Sequence, residues 1–519
     1  MQVVWFKRDL RVADHAPLCA AAAAGPVLAL YVYEPRLLAE PDVDARHIGF
    51  LNEALDDFER RLHALGLPLL RLHGDMPALL DRLHASTRID GLWSHEETGN
   101  LASFERDRAV AAWCRQHGVA WRELPTAGVV RRLSDRDTWS DRWMRRMTPA
   151  PLPPPPRITA ARVPLAGLPR APTAAELGLH STDIEARQSA GRAQARQILD
   201  DFLAHRVTRY RRGMSSPLSG AHDCSRLSPH LSFGSLSLRE VVHAVWRERA
   251  RWLAQPPGAH AQAVLAGLKS FESRLHWHCH FIQKLESEPQ IELRAVNRLY
   301  DGLREADYSV ERQRAWCRGE TGYPFIDACM RALNATGWIN FRMRAMLVAF
   351  SSYQLWNHWR EPGLHLARMF TDFEPGIHWP QVQMQSGVTG INTLRIYNPV
   401  KQQLDQDPKG IFVRRWLPEL ARVPLSLLAE PWLMSVAQQR EAGCLIGRDY
   451  PAPVVDHIVA ARHARDAVWA VRNKPEAAAE ARRVLVQHGS RNPDREGRRR
   501  PGRKVKTKAD DGGQMGFGF

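Results

Sequence analysis

Apolar positions in the first 130 residues alternate between two periodicities. Five short apolar runs are typical of buried β-strands, and they extend from Val3 to Phe6, Val27 to Tyr33, Leu67 to His73, Asp90 to His95 and Val119 to Pro125. Between these runs, apolar residues recur at helical spacing, as from Phe50 to Leu65 and from Phe104 to Trp113. Strands that alternate with amphipathic helices predict an α/β domain over residues 1–130, built on a doubly wound, Rossmann-like parallel sheet.

The pattern changes after this region. Residues 148–172 are rich in proline, which fixes φ and lacks a backbone donor, so we predict an extended interdomain linker within residues 131–195. From about Asp183 to Arg472 the apolar spacing is helical, which predicts an all-α domain over residues 196–475. The last residues have almost no apolar periodicity, and we predict a disordered basic tail over residues 476–519.

The formal net charge of +16 favours an anionic partner. Residues 481–519 contribute +7 of this charge and the rest of the chain +9, so the body of the protein is basic as well as its end. Long-range attraction to a phosphate backbone accounts for such an excess. A solvated, arginine-rich surface is the alternative interpretation, because the charge is spread over the whole sequence.

Several classes of protein are not indicated. The chain begins with an apolar segment and not with a signal-peptide pattern, and no apolar run reaches about 18 residues, so we expect a cytoplasmic protein without membrane contact. The seven cysteines are scattered and never spaced as C-x-x-C, which predicts no disulfide framework, compact zinc site or iron–sulfur cluster. The α/β region has no glycine-rich dinucleotide or nucleoside-triphosphate motif.

Four segments carry more specific residue combinations. WFKRDLR begins at Trp5, SRLSPHLSFGSLSLRE extends from Ser225 to Glu240, and an aromatic and charged segment that contains GYPFIDACMRALNATGWINFRMRAMLVAF and YQLWNHWRE extends from Gly322 to Glu361. RIYNPVKQ and RRWLPEL follow between Arg395 and Leu420. In this order the segments resemble the photolyase/cryptochrome family up to about residue 470. The resemblance implies an α/β antenna domain, an all-α FAD-binding domain and UV-damaged DNA as a partner.

One group of residues is implied to hold the diphosphate and ribityl chain of FAD. It consists of Tyr210, Cys224, Ser225, Arg226, Leu227 and Ser228. Hydroxyls and backbone N–H groups near a helix start, with an arginine close by, suit a pyrophosphate. A helix capped at Ser228, with Pro229 in its first turn, is the structural alternative and is compatible with this role.

A second group is implied to lie around the flavin ring. It consists of Phe271, Arg274, Phe341, Arg344, Asp372, Glu374 and His378. By the resemblance, Arg344 and Asp372 form a salt bridge that tunes the charge of the flavin, since a buried pair of this kind costs desolvation and serves function more than stability. Glu374 would lie near the N3 and C4 edge of the ring, and His378 near N5.

The resemblance also implies catalytic contacts to damaged DNA. The candidates are Trp277, Arg274, His278 and Arg342, with Trp359 in electron supply. Trp277 matches a tryptophan on which a cyclobutane pyrimidine dimer stacks, and a broad aromatic face suits an extruded base pair. Arg274 and His278 stand where the family has a glutamate and an arginine, and Met384 replaces a second tryptophan.

Two histidines, His276 and His280, are four residues apart and share one face of a predicted helix. A metal pair is one interpretation, but no carboxylate or cysteine lies at a matching offset, and we predict no metal. Proton donation to a lesion is another, because the two histidines that donate protons in 6-4 photolyases correspond here to Phe341 and Ala345. The type of lesion therefore stays open.

Electron supply departs from the family pattern. The family commonly reduces its flavin through three tryptophans, of which Trp359 matches one, whereas Val382 and Ala306 stand at the other two positions. Other aromatic residues offer alternative routes, although aromatics at such density more often form core: Trp338, Trp356, Tyr353, Trp379, Trp316 and Tyr308.

These residues and the resemblance predict an FAD-dependent, blue-light-driven DNA photolyase that repairs UV-induced pyrimidine dimers. The alternative is a cryptochrome-like photoreceptor without repair activity, which the changes at Arg274, His278 and Met384 favour. An antenna chromophore, a folate or a deazaflavin, is typical of the family. Glu96, Glu97 and Asn100 could line its cleft, but a solvated turn is the simpler interpretation and no antenna is assigned.

The end of the chain suggests one more partner. Gly513 to Phe519, GQMGFGF, resembles a bacterial sliding-clamp peptide, and a flexible terminus is the alternative. Since most members of the resembled family are monomers, we expect a monomer.

Overall fold

The computed structural model describes residues 1–173, 176, 184 and 186–490. Its amino-terminal part holds a parallel sheet of five strands, β1 (Gln2–Phe6), β2 (Val27–Tyr33), β3 (Leu69–His73), β4 (Gly91–His95) and β5 (Ala120–Leu124). The strand order is β3-β2-β1-β4-β5, so the chain crosses to the other side of β1 after β3. The predicted doubly wound parallel sheet is therefore confirmed.

Six helices accompany the sheet along the sequence. They are α1 (Ala16–Ala24), α2 (Pro35–Leu38), α3 (Ala45–Ala64), α4 (Met76–Ser86), α5 (Leu101–Gln116) and α6 (Trp139–Met147). Helix α3 begins at a capping box, in which the Asp44 carboxylate accepts the Arg46 N–H at 3.1 Å and the Asp44 N–H donates to His47 Nδ1 at 3.2 Å. Phe50 and Phe58 then bury one face of α3 in the core beside the sheet.

The second domain is all-α, as predicted, and no β-strand forms among its described residues. Its helices are α7 (Arg192–Asp201), α8 (Val207–Gly213), α9 (Pro217–Asp223), α10 (Ser228–Ser232), α11 (Leu238–Leu253), α12 (Ala259–Ser287), α13 (Val310–Arg318), α14 (Pro324–Thr336), α15 (Phe341–Ala349), α16 (Arg360–Met369), α17 (Pro375–Gln385), α18 (Pro399–Gln406), α19 (Ile411–Trp416), α20 (Val436–Ala442), α21 (His457–Arg472) and α22 (Ala477–His488). Short π-helical segments follow α7 and α15, at Phe202–Arg206 and Phe350–Gln354. Turns of 3-10 helix lie at Pro289–Glu292, Arg298–Tyr300, Glu305–Asp307, Pro418–Leu420, Leu425–Leu427 and Pro431–Leu433. Among these described helices none has both the length and the hydropathy needed to cross a membrane.

Two helices lie where the sequence pattern predicts other structure. Helix α6 falls within the predicted linker because Trp139, Trp143 and Met147, spaced four residues apart, are all buried. Helix α22 falls within the predicted disordered tail, and it is ordered by burial of Val484 and His488. The prediction of disorder is wrong for α22. Residues 491–519, with the clamp-like peptide, lie outside the described residues.

The two domains meet along the segment that follows β1. Arg8 donates to the carbonyl oxygens of Ser232 at 3.0 Å and Phe373 at 2.5 Å, both in the helical domain. Gly234 approaches this segment so closely that a Cβ would lie 2.4 Å from Asp9 Cα, and its φ of +72° also favours glycine. The interface has no space for a side chain at this position.

Candidate functional site

A salt bridge between Arg344 and Asp372 lies at the centre of the candidate site. Arg344, on the second turn of α15, donates from both terminal nitrogens to the two Asp372 oxygens at 2.9 Å. The Asp372 side chain is 2% exposed and the Arg344 side chain 22% exposed. Burial raises the pKa of Asp372, but the attraction of Arg344 and hydrogen bonds from Arg344 and Ser228 outweigh it, and the pKa lies below its usual value. The pair is therefore charged at neutral pH.

Arg226 brings a second guanidinium to the same place. Its φ of +62° is in the left-handed region, which a residue with a side chain adopts only when its surroundings hold it there. The guanidinium stacks on Trp338 at 3.9 Å from the ring centroid, and its Nε donates to Gln188. Burial lowers the pKa of Arg226 to about 10, and attraction to Asp372 opposes this shift. The arginine remains a cation at neutral pH.

The segment around Ser228 forms the wall next to Asp372. Helix α10 begins at Ser228 with Pro229 in its first turn, as the sequence indicates, but no side-chain cap is made at its start. The Ser228 side chain bonds to Asp372 instead, so the proposed capping role of Ser228 is wrong. Leu227 is buried, and Cys224 and Ser225 are partly exposed beside it.

Tyr210 and Phe271 lie deeper, in an aromatic cluster with Phe202. The ring centroids of Tyr210 and Phe271 are 5.7 Å apart, and each ring packs edge-on against Phe202. Burial raises the pKa of the Tyr210 phenol, and the Arg274 side chain bonds to it. Arg274 also reaches the Met214 sulfur at 3.6 Å. The cluster thus joins the predicted cofactor contacts of α8 and α12.

His378 is buried on α17. Its Nε2 donates to the Gly363 carbonyl oxygen at 2.8 Å, and its ring packs edge-on against Phe373 and Trp379. Burial lowers the pKa of His378 to about 4, so the imidazole is neutral at physiological pH. With the proton on Nε2, Nδ1 carries a lone pair.

Glu374 and His278 lie in a different environment, a cavity between the two domains. A Glu374 oxygen is 3.6 Å from an Arg8 terminal nitrogen, and burial raises the pKa of this carboxyl group. Burial lowers the pKa of His278 to about 4, and its Nδ1 has no hydrogen-bond partner among the described residues. The structure thus brings these two predicted site residues together, but next to the α/β domain.

The candidate lesion contacts lie on α12 and α15. Trp277 is partly exposed and packs against Phe281 on the next turn, with ring centroids 5.5 Å apart. Phe341, at the first position of α15, is 44% exposed, and Arg342 follows it. The charge of Arg342 acts on the phenol of Tyr397, which places these two side chains in the same region.

His276 and His280 pack against the aromatic side of α6. The His276 ring lies 4.7 Å from the Trp139 ring, and His280 Nδ1 contacts the guanidinium of Arg136. Burial lowers the pKa of His276 to about 4 and that of His280 well below its usual value. Neutral imidazoles are poor acids, which argues against the proton-donor interpretation. Neither histidine belongs to a metal-ligand cluster of the described residues.

Trp359 is buried in the core of the helical domain. Its ring lies 6.0 Å from that of Trp379, and the two rings are nearly perpendicular. Trp379 follows His378 directly and contacts it. These contacts connect Trp359 with α17.

Pattern reasoning missed a buried cluster of Asp9, His15 and His95. A single Asp9 oxygen accepts from His15 Nε2 at 2.8 Å and from His95 Nδ1 at 2.7 Å. His15 Nδ1 accepts the Leu18 N–H, so the His15 proton is on Nε2 and no lone pair remains there for a metal. The cluster is a hydrogen-bond network that stabilises the ends of β1 and β4.

The segment that contains Glu96, Glu97 and Asn100 is not the solvated turn of the simpler interpretation. The Glu97 side chain is only 13% exposed, and Arg106 donates to it at 2.5 Å while Lys7 lies 3.6 Å away. Asn100 caps α5, accepting the Ser103 N–H at 3.1 Å. Both side chains are therefore engaged within the α/β domain.

The donor set around Asp372 fits FAD. Arg226 and Arg344 together oppose a single carboxylate, which leaves a net positive site that suits an anionic cofactor such as FAD. Asn340 is 1% exposed, and its Oδ1 has no hydrogen-bond partner in the described part of the chain. Such a buried acceptor is rare unless a partner satisfies it, and FAD carries N–H donors.

Two family models match the chain. The model of DNA photolyase matches residues 2–136, and the model of the FAD binding domain of DNA photolyase matches residues 271–470. The chain belongs to the photolyase/cryptochrome family. It has the FAD-binding domain of that family, and the Arg344–Asp372 pair lies inside this domain.

The relatives in this family include proteins named photolyase and proteins named cryptochrome. The chain is 29% identical to a deoxyribodipyrimidine photo-lyase of Halobacterium salinarum over 494 residues, covering 88% of this chain and 96% of the relative. It is 28% identical to a cryptochrome DASH of Natronomonas pharaonis over 496 residues, covering 88% and 98%. A class III photolyase structure from Agrobacterium tumefaciens superposes with a TM-score of 0.78 at 26% identity, covering 91% of this chain and 98% of that one.

Proposed function

We propose that this protein is a photolyase that uses FAD and blue light to repair UV-induced pyrimidine dimers in DNA. The observation that carries the proposal is Trp277, a partly exposed aromatic side chain on α12, together with Arg342 at the exposed start of α15. An aromatic face stacks on an extruded base pair, and a guanidinium binds the adjoining phosphate. A pure light sensor has no need of this combination.

Bound FAD in its reduced state supplies a photoexcited electron donor. Arg226 holds the pyrophosphate side of the cofactor through its positive charge, and the Ser228 hydroxyl keeps Asp372 in place by donating to it. The Arg344–Asp372 pair orients the ring and fixes its electrostatic surroundings. His378 offers a neutral imidazole to the same site and brings no charge of its own.

The DNA side of the reaction depends on positioning. The basic body of the protein attracts the duplex, Trp277 stacks on the flipped lesion, and Arg342 keeps the adjoining backbone in register. The electron that opens the lesion returns afterwards, so no net redox change occurs. Neutral His276 and His280 make a proton-dependent repair less favourable than simple cleavage of a cyclobutane ring.

A cryptochrome-like photoreceptor is the second candidate. His278 supports it. This side chain lines the interdomain cavity with Glu374, whereas the Trp277 ring packs against Phe281. Loss of a lesion contact on α12 is the change that a sensor without repair would accept.

The experiment uses the full-length, flavin-loaded protein, reduced and exposed to blue light. Oligonucleotides carry either a cyclobutane dimer or a 6-4 photoproduct, and recovery of intact thymines is measured. We expect recovery from the cyclobutane dimer, and we expect Trp277→Ala to abolish it while Trp252→Ala on α11 does not. No recovery of either lesion from a protein with photoreducible flavin would favour the photoreceptor.

A further inference from the structure

A groove lies between helix α21 and the loop that follows α17. Residues 390–394 and 396 form one wall, and Arg465, Trp469 and Arg472 form the other. The groove encloses about 560 Å³, a volume in the range of ligand-binding clefts. None of the described residues that line it is an aspartate or a glutamate.

The α21 wall presents an exposed aromatic ring between two cations. Spacings of four and three residues place Arg465, Trp469 and Arg472 on one side of the helix. The core side of α21 is already formed by other residues, Ala464, Val468 and Val471. Trp469 is nevertheless 48% exposed, which makes it unusual among large aromatic side chains.

The loop wall is held in place by the helix. Arg472 donates to the Asn392 carbonyl oxygen at 2.6 Å, and the Thr389 hydroxyl donates to Asn392 Oδ1 at 2.8 Å. The Arg472 guanidinium also lies 5.4 Å from the centre of the Trp469 ring. The groove is therefore preformed, with its aromatic face and one of its cations fixed.

The location of the groove connects it with the candidate lesion site. Its loop begins directly after α17, which carries Met384, and it continues to Tyr397. The Tyr397 phenol lies within the electrostatic influence of Arg342. A DNA strand that places a lesion at Arg342 and Trp277 can continue along this loop into the groove.

We propose that the groove binds unpaired nucleotides of the strand that carries the lesion, with a base stacked on Trp469 and phosphates at Arg465 and Arg472. Exposed aromatic faces between cations are how proteins bind single strands without reading their sequence. The assignment of that strand rests on the proposed repair function. Binding of a single strand in the groove can be measured without any lesion.

The test measures binding of a fluorescent twelve-nucleotide oligothymidine, undamaged, to the full-length, flavin-loaded protein over a series of salt concentrations. We expect Trp469→Ala to weaken binding by about tenfold, within the usual effect of removing one stacked base, and Trp469→Phe to retain most of it. Arg465→Gln should reduce the slope of log K against log salt by about 0.7, as for one phosphate contact of a single strand. Arg88→Gln is the matched control, because it removes an equal charge from a side chain that is 86% exposed on the other domain.

Undamaged duplex DNA of the same length is measured in parallel. If Trp469→Ala loses as much affinity for the duplex as for the single strand, the inference is overturned. Unchanged single-strand affinity in Trp469→Ala would overturn it as well. Repair by the wild-type protein is scored separately. Repair together with Trp469-independent binding rejects the groove and keeps the photolyase function. Trp469-dependent binding without repair of any lesion keeps the single-strand groove and rejects its assignment to a lesion-bearing strand.

Discussion

Arg344 binds Asp372 through two parallel hydrogen bonds of 2.9 Å, one to each carboxylate oxygen. The two residues are 28 positions apart, and the start of α15 and the turn that follows α16 bring them together. A bidentate pair has a fixed geometry as well as a fixed charge. A group bound beside this pair therefore lies in an electrostatic field whose direction is fixed by the two hydrogen bonds.

Removing one charge from this pair should destabilise the protein. Asp372→Asn keeps the shape but leaves Arg344 without its carboxylate, and breaking a buried pair in this way costs about 3–5 kcal/mol. Since Arg344 is partly exposed, we expect the lower end of that range, together with loss of FAD during purification. Urea unfolding and the flavin absorbance of the purified protein measure both effects. Asp405→Asn, which removes the partner of exposed Lys401, should cost less than about 1 kcal/mol, and a similar cost for both variants would contradict this prediction.

The stability contribution of His47 should depend on pH. His47 donates from Nε2 to the Phe370 carbonyl oxygen at 3.0 Å across the domain interface, and burial lowers its pKa to about 4. Between the unfolded value of about 6.5 and this folded value, the unfolded chain binds a proton that the folded chain does not. The neutral histidine is therefore favourable above pH 6.5, and its contribution decreases by about 3 kcal/mol as the pH falls to 4.

The difference in unfolding free energy between wild type and His47→Gln measures this effect. Comparison with a variant is needed because burial raises the pKa of Glu34 and Glu292 to about 7, and these acids change the total curve in the opposite direction. The wild type should lose its advantage over His47→Gln on acidification. Parallel curves for the wild type and His47→Gln would refute the assignment.

Gly234 should be intolerant of any side chain. An alanine Cβ would lie 2.4 Å from the Arg8 carbonyl oxygen and from Asp9 Cα, so the domains would have to separate locally. Gly118 provides a control for the backbone alone, because its φ of +65° is similar and nothing lies within 4 Å of a Cβ. Gly118→Ala should cost about 1–2 kcal/mol and Gly234→Ala clearly more, as thermal unfolding would record. Equal costs would show that the close approach is unimportant.

Light-driven reduction of the flavin should depend on Trp359 and Trp379. Their rings are 6.0 Å apart, and Trp379 is adjacent to His378, whereas Val382 and Ala306 lack the rings of the usual chain. We expect Trp359→Phe and Trp379→Phe to slow photoreduction of bound FAD, followed by absorbance under blue light with an external thiol. Trp5→Phe, equally buried but in the α/β domain, is the control, and its flavin should be reduced at the wild-type rate. Normal rates in all three variants would require another electron route.

Strand β2 was predictable because it is a continuous apolar run. The run from Val27 to Tyr33 coincides with β2, since a central parallel strand is buried on both faces. Helix α22 was not predictable from its periodicity. His488 bonds to Glu288 at 2.6 Å and is 1% exposed, so contacts with the end of α12 order this segment.

The candidate site was predictable only through the resemblance. Arg344 and Asp372 are too far apart in sequence for any local pattern to join them, and the same holds for Asp9 and His95, which meet because β1 and β4 are neighbours. For Glu374, the resemblance itself was an incomplete guide. Its position along the chain suggests the flavin, but its side chain lies in a cavity with Arg8, because the other domain supplies a cation there.

Arg8 therefore has a consequence for protein engineering. Its guanidinium, from the α/β domain, holds the carbonyl group of Phe373, the residue that follows Asp372, and lies beside Glu374. A chimaera that joins this helical domain to the α/β domain of a relative would need an arginine at the position of Arg8. Without it, the backbone next to the Arg344–Asp372 pair would lose a hydrogen bond that holds it in place. The two domains should therefore be exchanged together.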